Sequence, residues 1–315
     1  MKKIIKIGTR DSELALWQAH QVQDKLTALG YETVLVPVKS DGDLLLDKPL
    51  YELGITGIFT KTLDIAMLNG TVDIAVHSMK DVPTALPKGI VQAAVLERAN
   101  PLDIIVSPNP FDFSEENAII ATGSLRRQAQ WWHRFPKHQL VDLRGNVNTR
   151  LQKLSTNNWN GAIFASAGLE RIKLLANSKI KTIDFEGFAK ELDWMIPAPA
   201  QGAMLVVALE NDAFAREALG KLNHSETEMC TKIERDFLKT LEGGCTAPIG
   251  ALAKIEQSKI VFEGVLFSID GKIKHHIKKY CTFDAVNDFG KSCANEILKN
   301  GGDATMNAIR LNLKK

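Results

Sequence analysis

Apolar residues follow two rhythms along this chain, short solid runs and helical spacing. Ile4, Ile5 and Ile7 make a run that stops at Gly8, and Ala15, Ala19, Val22, Leu26 and Leu29 then keep a 3.6-residue period up to Gly30. The pattern predicts further strands over residues 33–38, 73–76, 91–96, 104–107, 119–122, 140–143 and 162–165. Helices are expected over 59–68, from 123 through Arg134, and from Gly168 onward. Residues 204–209 are apolar throughout and belong at a sheet centre. A helix over 226–240, a hairpin of 260–268 and 273–282 turning at Asp270-Gly271, and a helix over 285–299 complete the reading. Strands alternating with helices predict parallel α/β sheets. The last part reads as a small α+β domain.

Breakers divide this pattern. Residues 44–57 hold Pro49, Gly54 and Gly57 among mixed positions and read as a long mobile loop, a lid. Glu97-Arg98-Ala99-Asn100-Pro101 and the stiff Pro197-Ala198-Pro199-Ala200-Gln201-Gly202-Ala203 are candidate domain crossings. A length of 315 residues fits two or three domains.

Composition narrows the function classes. The net charge is +2, so no global basic field points to nucleic acid or membrane. Cys230, Cys245, Cys281 and Cys293 show no zinc spacing and no disulfide framework. The apolar run at the N-terminus is too short for a signal peptide, and no stretch reaches transmembrane length. A reduced, cytoplasmic protein is expected, with no metal.

Against this neutral background the charge is local. Arg126, Arg127, Arg134, Arg144 and Arg150 face a single acid, Asp142, between residues 121 and 150. They sit at two strand-to-helix turns, Gly123-Ser124-Leu125-Arg126-Arg127 and Arg144-Gly145-Asn146-Val147-Asn148-Thr149-Arg150. Helix N-termini present free N–H groups and partial positive charge, and guanidinium forks match carboxylates, so both turns are candidate anion sites. Replacing Arg126 or Arg144 by leucine is expected to harm activity far more than stability.

Three other stretches carry candidate chemistry. Thr9-Arg10-Asp11-Ser12 reads as a ligand-facing strand end or as a capped helix start with a solvated arginine. His77-Ser78-Met79-Lys80-Asp81-Val82-Pro83 crowds an imidazole, an ammonium and a carboxylate at a strand end; it is an active-site edge or a turn capped by Asp81. Leu241-Glu242-Gly243-Gly244-Cys245-Thr246-Ala247-Pro248-Ile249-Gly250 ends a helix in a tight loop, which holds a thiol outward or a half-buried packing cysteine.

Taken together, these segments resemble the porphobilinogen deaminase (hydroxymethylbilane synthase) family. The match runs in order through Gly8-Thr9-Arg10 with Ser12 and Leu14-Ala15-Leu16-Trp17-Gln18-Ala19, Asp73 to Pro83, Ser124 to Gln128, Leu143 to Thr149, Ala167-Gly168-Leu169, Pro197 to Ala203 and Leu241 to Gly250. The resemblance implies two periplasmic-binding-protein-like α/β domains plus a small C-terminal α+β domain. Its expected boundaries are 1–98 with 202–220 for domain 1, 99–201 for domain 2 and 221–315 for domain 3. It implies that the chain joins four porphobilinogen molecules head to tail, with loss of ammonia, into hydroxymethylbilane. The implied cofactor is a dipyrromethane attached covalently through Cys245. Lys80, Asp81, Ser124, Arg126, Arg127, Arg144, Arg150 and Ser12 then match the cofactor-binding residues. Arg10, Ser12, Gln18, Arg144, Arg150, Arg171 and Gln201 match the substrate set, and Asp81 the catalytic acid. Each pyrrole carries an acetate and a propionate, so the growing chain is a polyanion suited to these arginines, and a carboxylate at Asp81 stabilises the cationic azafulvene left by ammonia. A monomer is expected.

The chain departs from the family's usual Gly-Lys-Gly-Leu-Phe lid with Ile55-Thr56-Gly57-Ile58-Phe59, although Lys61 is nearby. Leu102 stands where an arginine is common, Asn100 where an aspartate is, and Asn148 for a usual glycine. Two other readings compete. A solute-binding module of the same fold needs neither Cys245 nor Asp81. Nucleic-acid binding through Arg126, Arg127, Trp131 and Trp132 meets a near-neutral charge and no matching motif.

Overall fold

Strand β1 (Ile5–Thr9) opens the chain with Ile5 and Ile7 fully buried, and α1 (Glu13–Ala28) follows directly. Ser12 takes the extended N-cap conformation without a side-chain cap bond, Glu13 lies in the first turn and Lys25 in the last, and both charges favour the helix dipole. Gly30, at φ 84°, closes the helix while Tyr31 N–H reaches Leu26 O at 3.1 Å. The computed structural model of the chain describes residues 3–39, 60–183, 185–241 and 247–313. The expected lid and the loop bearing Cys245 lie outside the described residues.

The described residues form two compact units. The first takes the described residues 3–39 and 60–99 and again Gly202–Met229; the second takes Asn100–Gln201 and the described residues from Cys230 onward. Helix α7 (Ser225–Thr240) contains the last of these divisions.

In the first unit, β2 (Thr33–Pro37), α2 (Lys61–Leu68), β3 (Ile74–Ser78), β4 (Ile90–Val95), β12 (Met204–Leu209) and α6 (Ala213–Gly220) join β1 and α1. Its sheet runs β2-β1-β3-β12-β4. β1 pairs parallel with β2 and β3, so their C-terminal ends share one edge. β12 lies antiparallel between β3 and β4. The connector before it therefore returns the chain to the first sheet, and its apolar run fills the sheet interior as its composition predicts. Ala19, Val22 and Leu26 of α1 and Ala215, Ala218 and Leu219 of α6 pack in the core with Ile74, Val76 and Val206.

The second unit has a mixed sheet of order β7-β6-β8-β5-β11-β10-β9. Its members are β5 (Asp103–Ser107), β6 (Ile119–Ala121), β7 (Gln139–Val141), β8 (Gly161–Ala165), β9 (Leu175–Ala176), β10 (Lys179–Lys181) and β11 (Glu186–Glu191). Helices α3 (Leu125–Arg134), α4 (Val147–Thr156) and α5 (Ser166–Arg171) follow β6, β7 and β8. Alternation along β5 feeds two cores: Ile104 and Val106 join Leu143, Leu151, Leu154 and Phe164, while Ile105 joins Ile120, Trp131, Ile163 and Leu192. β6 is parallel to β7 and β8, which again brings the C-terminal ends of three strands to one edge.

The same unit ends in an antiparallel sheet of β13 (Ile249–Glu256), β14 (Lys259–Phe267) and β15 (Lys274–Cys281) with α8 (Phe289–Ile297) and α9 (Asp303–Leu313). Phe237 of α7 meets Phe262 of β14 with ring centres 5.1 Å apart. The helix expected over 285–299 begins later and stops earlier. Asp288 turns with φ 60°, and Gly301, at φ 95°, breaks the pattern before α9. The fold class is the expected one.

Candidate active site

In the first unit the parallel strand ends present one cluster. Gly8 lies so close to Val72 and Leu63 that a Cβ there would stand 3.0 and 3.1 Å from their side chains. Thr9 is buried, with Oγ1 donating to Ala15 O at 3.0 Å, which ties the end of β1 to the first turns of α1. Arg10 and Ser12 emerge half-buried beside it. At the neighbouring end of β3 the chain enters a 3-10 turn, Met79–Asp81. Met79 N–H donates to Ala203 O at 3.0 Å and Val82 N–H to Met79 O at 3.2 Å. Gln18 is buried and donates through Nε2 to Ser78 Oγ at 2.9 Å, so it braces the residue that precedes the turn. Lys80 and Asp81 are half-buried on that turn. His77 is buried; burial first and the Arg10 charge second push its pKa down to about 4, so its imidazole is neutral at physiological pH. Arg10, Ser12, Lys80 and Asp81 thus come to one sheet edge, with Gln18 behind them.

In the second unit the two arginine-bearing turns are pressed together. A Cβ on Gly123 would lie 2.7 Å from Leu143 O, and Thr122 N–H donates to Val141 O at 2.8 Å. Ser124 is the N-cap of α3 and makes no side-chain cap bond, whereas Asn146 caps α4 by accepting from Thr149 N at 2.9 Å. The second helix start therefore supplies part of its own acceptor. Arg150 Nε donates to Gly145 O at 2.7 Å, across a glycine at φ 113°. Arg144 is buried, and burial lowers its pKa against the opposing Asp142. Arg171 ends α5, buried, with its pKa lowered by burial to about 10 against Glu170.

Arg126 and Arg127 differ from the sequence-based expectation. Both are buried, and both grip Asp103, which is itself fully buried. Arg126 Nη1 donates to Asp103 Oδ2 at 2.6 Å and to Ile196 O at 2.9 Å. Arg127 donates to Asp103 Oδ1 through Nε at 3.0 Å and Nη2 at 2.8 Å, and to Ile163 O at 2.8 Å. Burial pushes the Asp103 carboxyl up, but the two guanidinium charges and the bonds from Arg126 and Gln201 hold it well below the usual carboxylate range. Removing one partner of such a buried group costs about 3–5 kcal/mol. The expectation that Arg126→Leu spares stability is therefore corrected. Gln201, also buried, donates to Asp103 Oδ1 at 3.0 Å and to Pro101 O at 2.8 Å.

Sequence reasoning passed over two acids here. Asp103 starts a strand whose next three residues, Ile104, Ile105 and Val106, are apolar. Glu234 lies on the apolar stripe of α7 with Cys230 and Phe237, and accepts from Ala200 N at 2.6 Å and Ala253 N at 2.7 Å. An acid on a buried stripe was the available signal in both cases. Asn100, at a departure from the family pattern, donates to Glu191 Oε1 at 2.7 Å and accepts from Leu102 N at 3.0 Å; Asn148 is exposed on α4. No group of residues suited to a metal ion occurs among the described residues.

Fold and site define a two-unit α/β protein whose parallel strand ends gather arginines, with Lys80 and Asp81 at one of them. Residues 5–217 match the porphobilinogen deaminase dipyromethane cofactor binding domain, and residues 228–299 the porphobilinogen deaminase C-terminal domain. The porphobilinogen deaminase of Desulfitobacterium hafniense is 41% identical over 315 residues, covering 99% of each chain. That of Carboxydothermus hydrogenoformans is 39% identical over 314 residues, covering 98% of each. Among solved structures, the methionine binding protein MetQ aligns at 14% identity over 70% of this chain and 89% of that one, with a TM-score of 0.44, too loose to bear on function. The chain belongs to the porphobilinogen deaminase family. It is a transferase of tetrapyrrole biosynthesis that polymerises porphobilinogen into hydroxymethylbilane and has a domain for the dipyrromethane cofactor.

Proposed function

We propose that Asp81 is the catalytic residue, and that Cys245 carries the dipyrromethane through a thioether. The cofactor's carboxylates are held by Lys80, Ser12, Ser124, Arg126, Arg127, Arg144 and Arg150. When bound, the cofactor supplies the pyrrole from which the chain grows. Arg10, Ser12, Arg144, Arg150 and Arg171 take the carboxylates of porphobilinogen and the growing chain. Gln18 and Gln201 belong to that set through the groups they brace, Ser78 and Asp103.

The observation that carries this reading is the 3-10 turn at the end of β3, which holds Lys80 and Asp81 on the sheet edge that also presents Arg10 and Ser12. A carboxylate fixed beside cationic groups suits a reaction that binds a polyanion and develops positive charge. Loss of ammonia from the aminomethyl carbon of the substrate leaves positive charge on its pyrrole. The amine leaves as ammonia from its protonated form, and the Asp81 carboxylate stabilises the resulting charge through the pyrrole N–H and accepts the proton released when the pyrroles join. The residues present fit the cofactor: Arg126, Arg127 and Asp103 sum to one positive charge, which leaves attraction for a carboxylate.

We further read the protein as a cytoplasmic monomer that binds neither nucleic acid nor membrane, divided into residues 1–98 with 202–220, 99–201 and 221–315. The net charge of +2 supports the absence of nucleic-acid binding, and no helix among the described residues is long and apolar enough to cross a membrane.

Asp81→Asn tests the central role. It preserves size and turn-capping ability, since Asn and Asp cap about equally, but removes the charge. Turnover should fall on the order of a hundredfold or more at an unchanged thermal midpoint. Near-normal turnover would return Asp81 to a turn-capping role.

A further inference from the structure

Arg126 and Arg127 are consecutive on α3, and consecutive helical residues point about 100° apart and do not face each other. Here both guanidiniums converge on one carboxylate. Asp103 Oδ2 receives Arg126 Nη1, and Oδ1 receives Arg127 Nε, Arg127 Nη2 and Gln201 Nε2. Backbone carbonyls complete the frame, Ile163 O for Arg127 and Ile196 O for Arg126.

Among the described residues, Arg126 makes its side-chain hydrogen bonds through Nη1 alone, and neither its Nε nor its Nη2 is a buried donor left without a partner. The Nε–Nη2 edge of a guanidinium is one of the faces that takes a carboxylate with two parallel bonds. By gripping Nη1, Asp103 fixes the plane of the fork and leaves that edge open. It also neutralises one of the two arginine charges and leaves the other for a ligand.

We propose that Asp103 is a positioning residue for the reaction: it orients the Arg126 fork so that its Nε–Nη2 edge receives a carboxylate of the dipyrromethane. This rests on the reading that Arg126 holds the cofactor. Gln201 supports Asp103, and Glu234 supports Gln201 by holding the adjacent Ala200 N–H.

The test uses full-length Asp103→Asn, Asp103→Glu and Arg126→Leu. The fraction of chains carrying the dipyrromethane is read from the intact mass of the denatured protein, and kcat and KM are measured per loaded chain. In Asp103→Asn, loading should fall about tenfold, the loss of one charged hydrogen bond. kcat of the loaded chains should fall on the order of a hundredfold, as expected for a misplaced reactant, with KM nearly unchanged. A merely structural role would lower the folded fraction and leave kcat per loaded chain alone, and that result would overturn the proposal. If Asp103→Asn does not fold, Asp103→Glu decides. It keeps the charge but displaces the carboxylate by a methylene; reduced kcat at a near-native thermal midpoint supports positioning, and wild-type kcat overturns it. Arg126→Leu separates the two ideas. Full loading and turnover in that variant sinks the cofactor reading of Arg126 itself. Lost loading there, beside full loading and wild-type kcat in Asp103→Asn, sinks the positioning role alone.

Discussion

Replacing Glu234 by alanine should destabilise the protein far more than its place on a charged helix suggests. Its side chain is fully buried and accepts the Ala200 N–H at 2.6 Å and the Ala253 N–H at 2.7 Å. Alanine leaves both donors buried without this acceptor, and each orphaned group costs about 1–3 kcal/mol. Ala200 sits at φ 62°, a left-handed conformation that stores on the order of 1–3 kcal/mol. Releasing the clamp lets that strain relax and offsets part of the loss. The balance is a net loss of about 3 kcal/mol. At roughly 2–4 °C per kcal/mol for a unit of this size, the thermal midpoint should drop by about 6–12 °C. Glu234→Gln keeps one acceptor oxygen and should show about half the effect. The exposed Glu256→Ala is the control, expected within about 0.5 kcal/mol of the parent. The assay is differential scanning calorimetry of the three variants at one pH. A midpoint for Glu234→Ala indistinguishable from that of Glu256→Ala would refute the clamp.

His77 has its folded pKa near 4, below its unfolded value near 6.5, so the unfolded chain binds the extra proton. Its contribution to stability is complete above about pH 6.5 and is lost as pH falls towards 4, by roughly 3 kcal/mol in all. Urea midpoints at pH 7 and pH 5 should converge for His77→Gln and diverge for the parent; equal slopes would remove His77 as the cause. Gly123→Ala forces a Cβ to 2.7 Å from Leu143 O and should cost about 1–3 kcal/mol while lowering turnover, because it separates the turns that bear Arg126 and Arg144. Unchanged stability and kinetics would mean that the two turns are not held by this contact.

The helical spacing behind Ser12 and the apolar run of β12 were legible because each depends on local periodicity, and so were β1 and β3, although they run on to Thr9 and Ser78, past the expected ends at Gly8 and Val76. β11 was not. Its inward positions are Gly187 and Ala189 between lysine and glutamates, so the strand is made by pairing with β5 and β10 rather than by its own composition. α9 was hidden by Gly301 and Gly302, which read as an end rather than as a kink between two helices. Arg126 and Arg127 were visible as a pair of charges at a helix start, but their burial was not, because the acid that compensates them lies more than twenty residues earlier in the chain. Asp103 and Glu234 share that difficulty. A buried carboxylate needs partners that only tertiary structure supplies, and from sequence it looks like any surface acid. The roles proposed for Asp81 and Cys245 come from motif resemblance and not from periodicity.

The central claim is that this chain builds a tetrapyrrole on a dipyrromethane bound to Cys245. The most direct measurement is the intact mass of the denatured, purified protein, followed by peptide mapping. The parent should exceed the mass of its sequence by one dipyrromethane, with the adduct mapped to Cys245. Cys245→Ser should be soluble, show the sequence mass and lack activity. A parent at the bare sequence mass that still converts porphobilinogen, or an adduct mapped to Cys230, Cys281 or Cys293, would contradict the account.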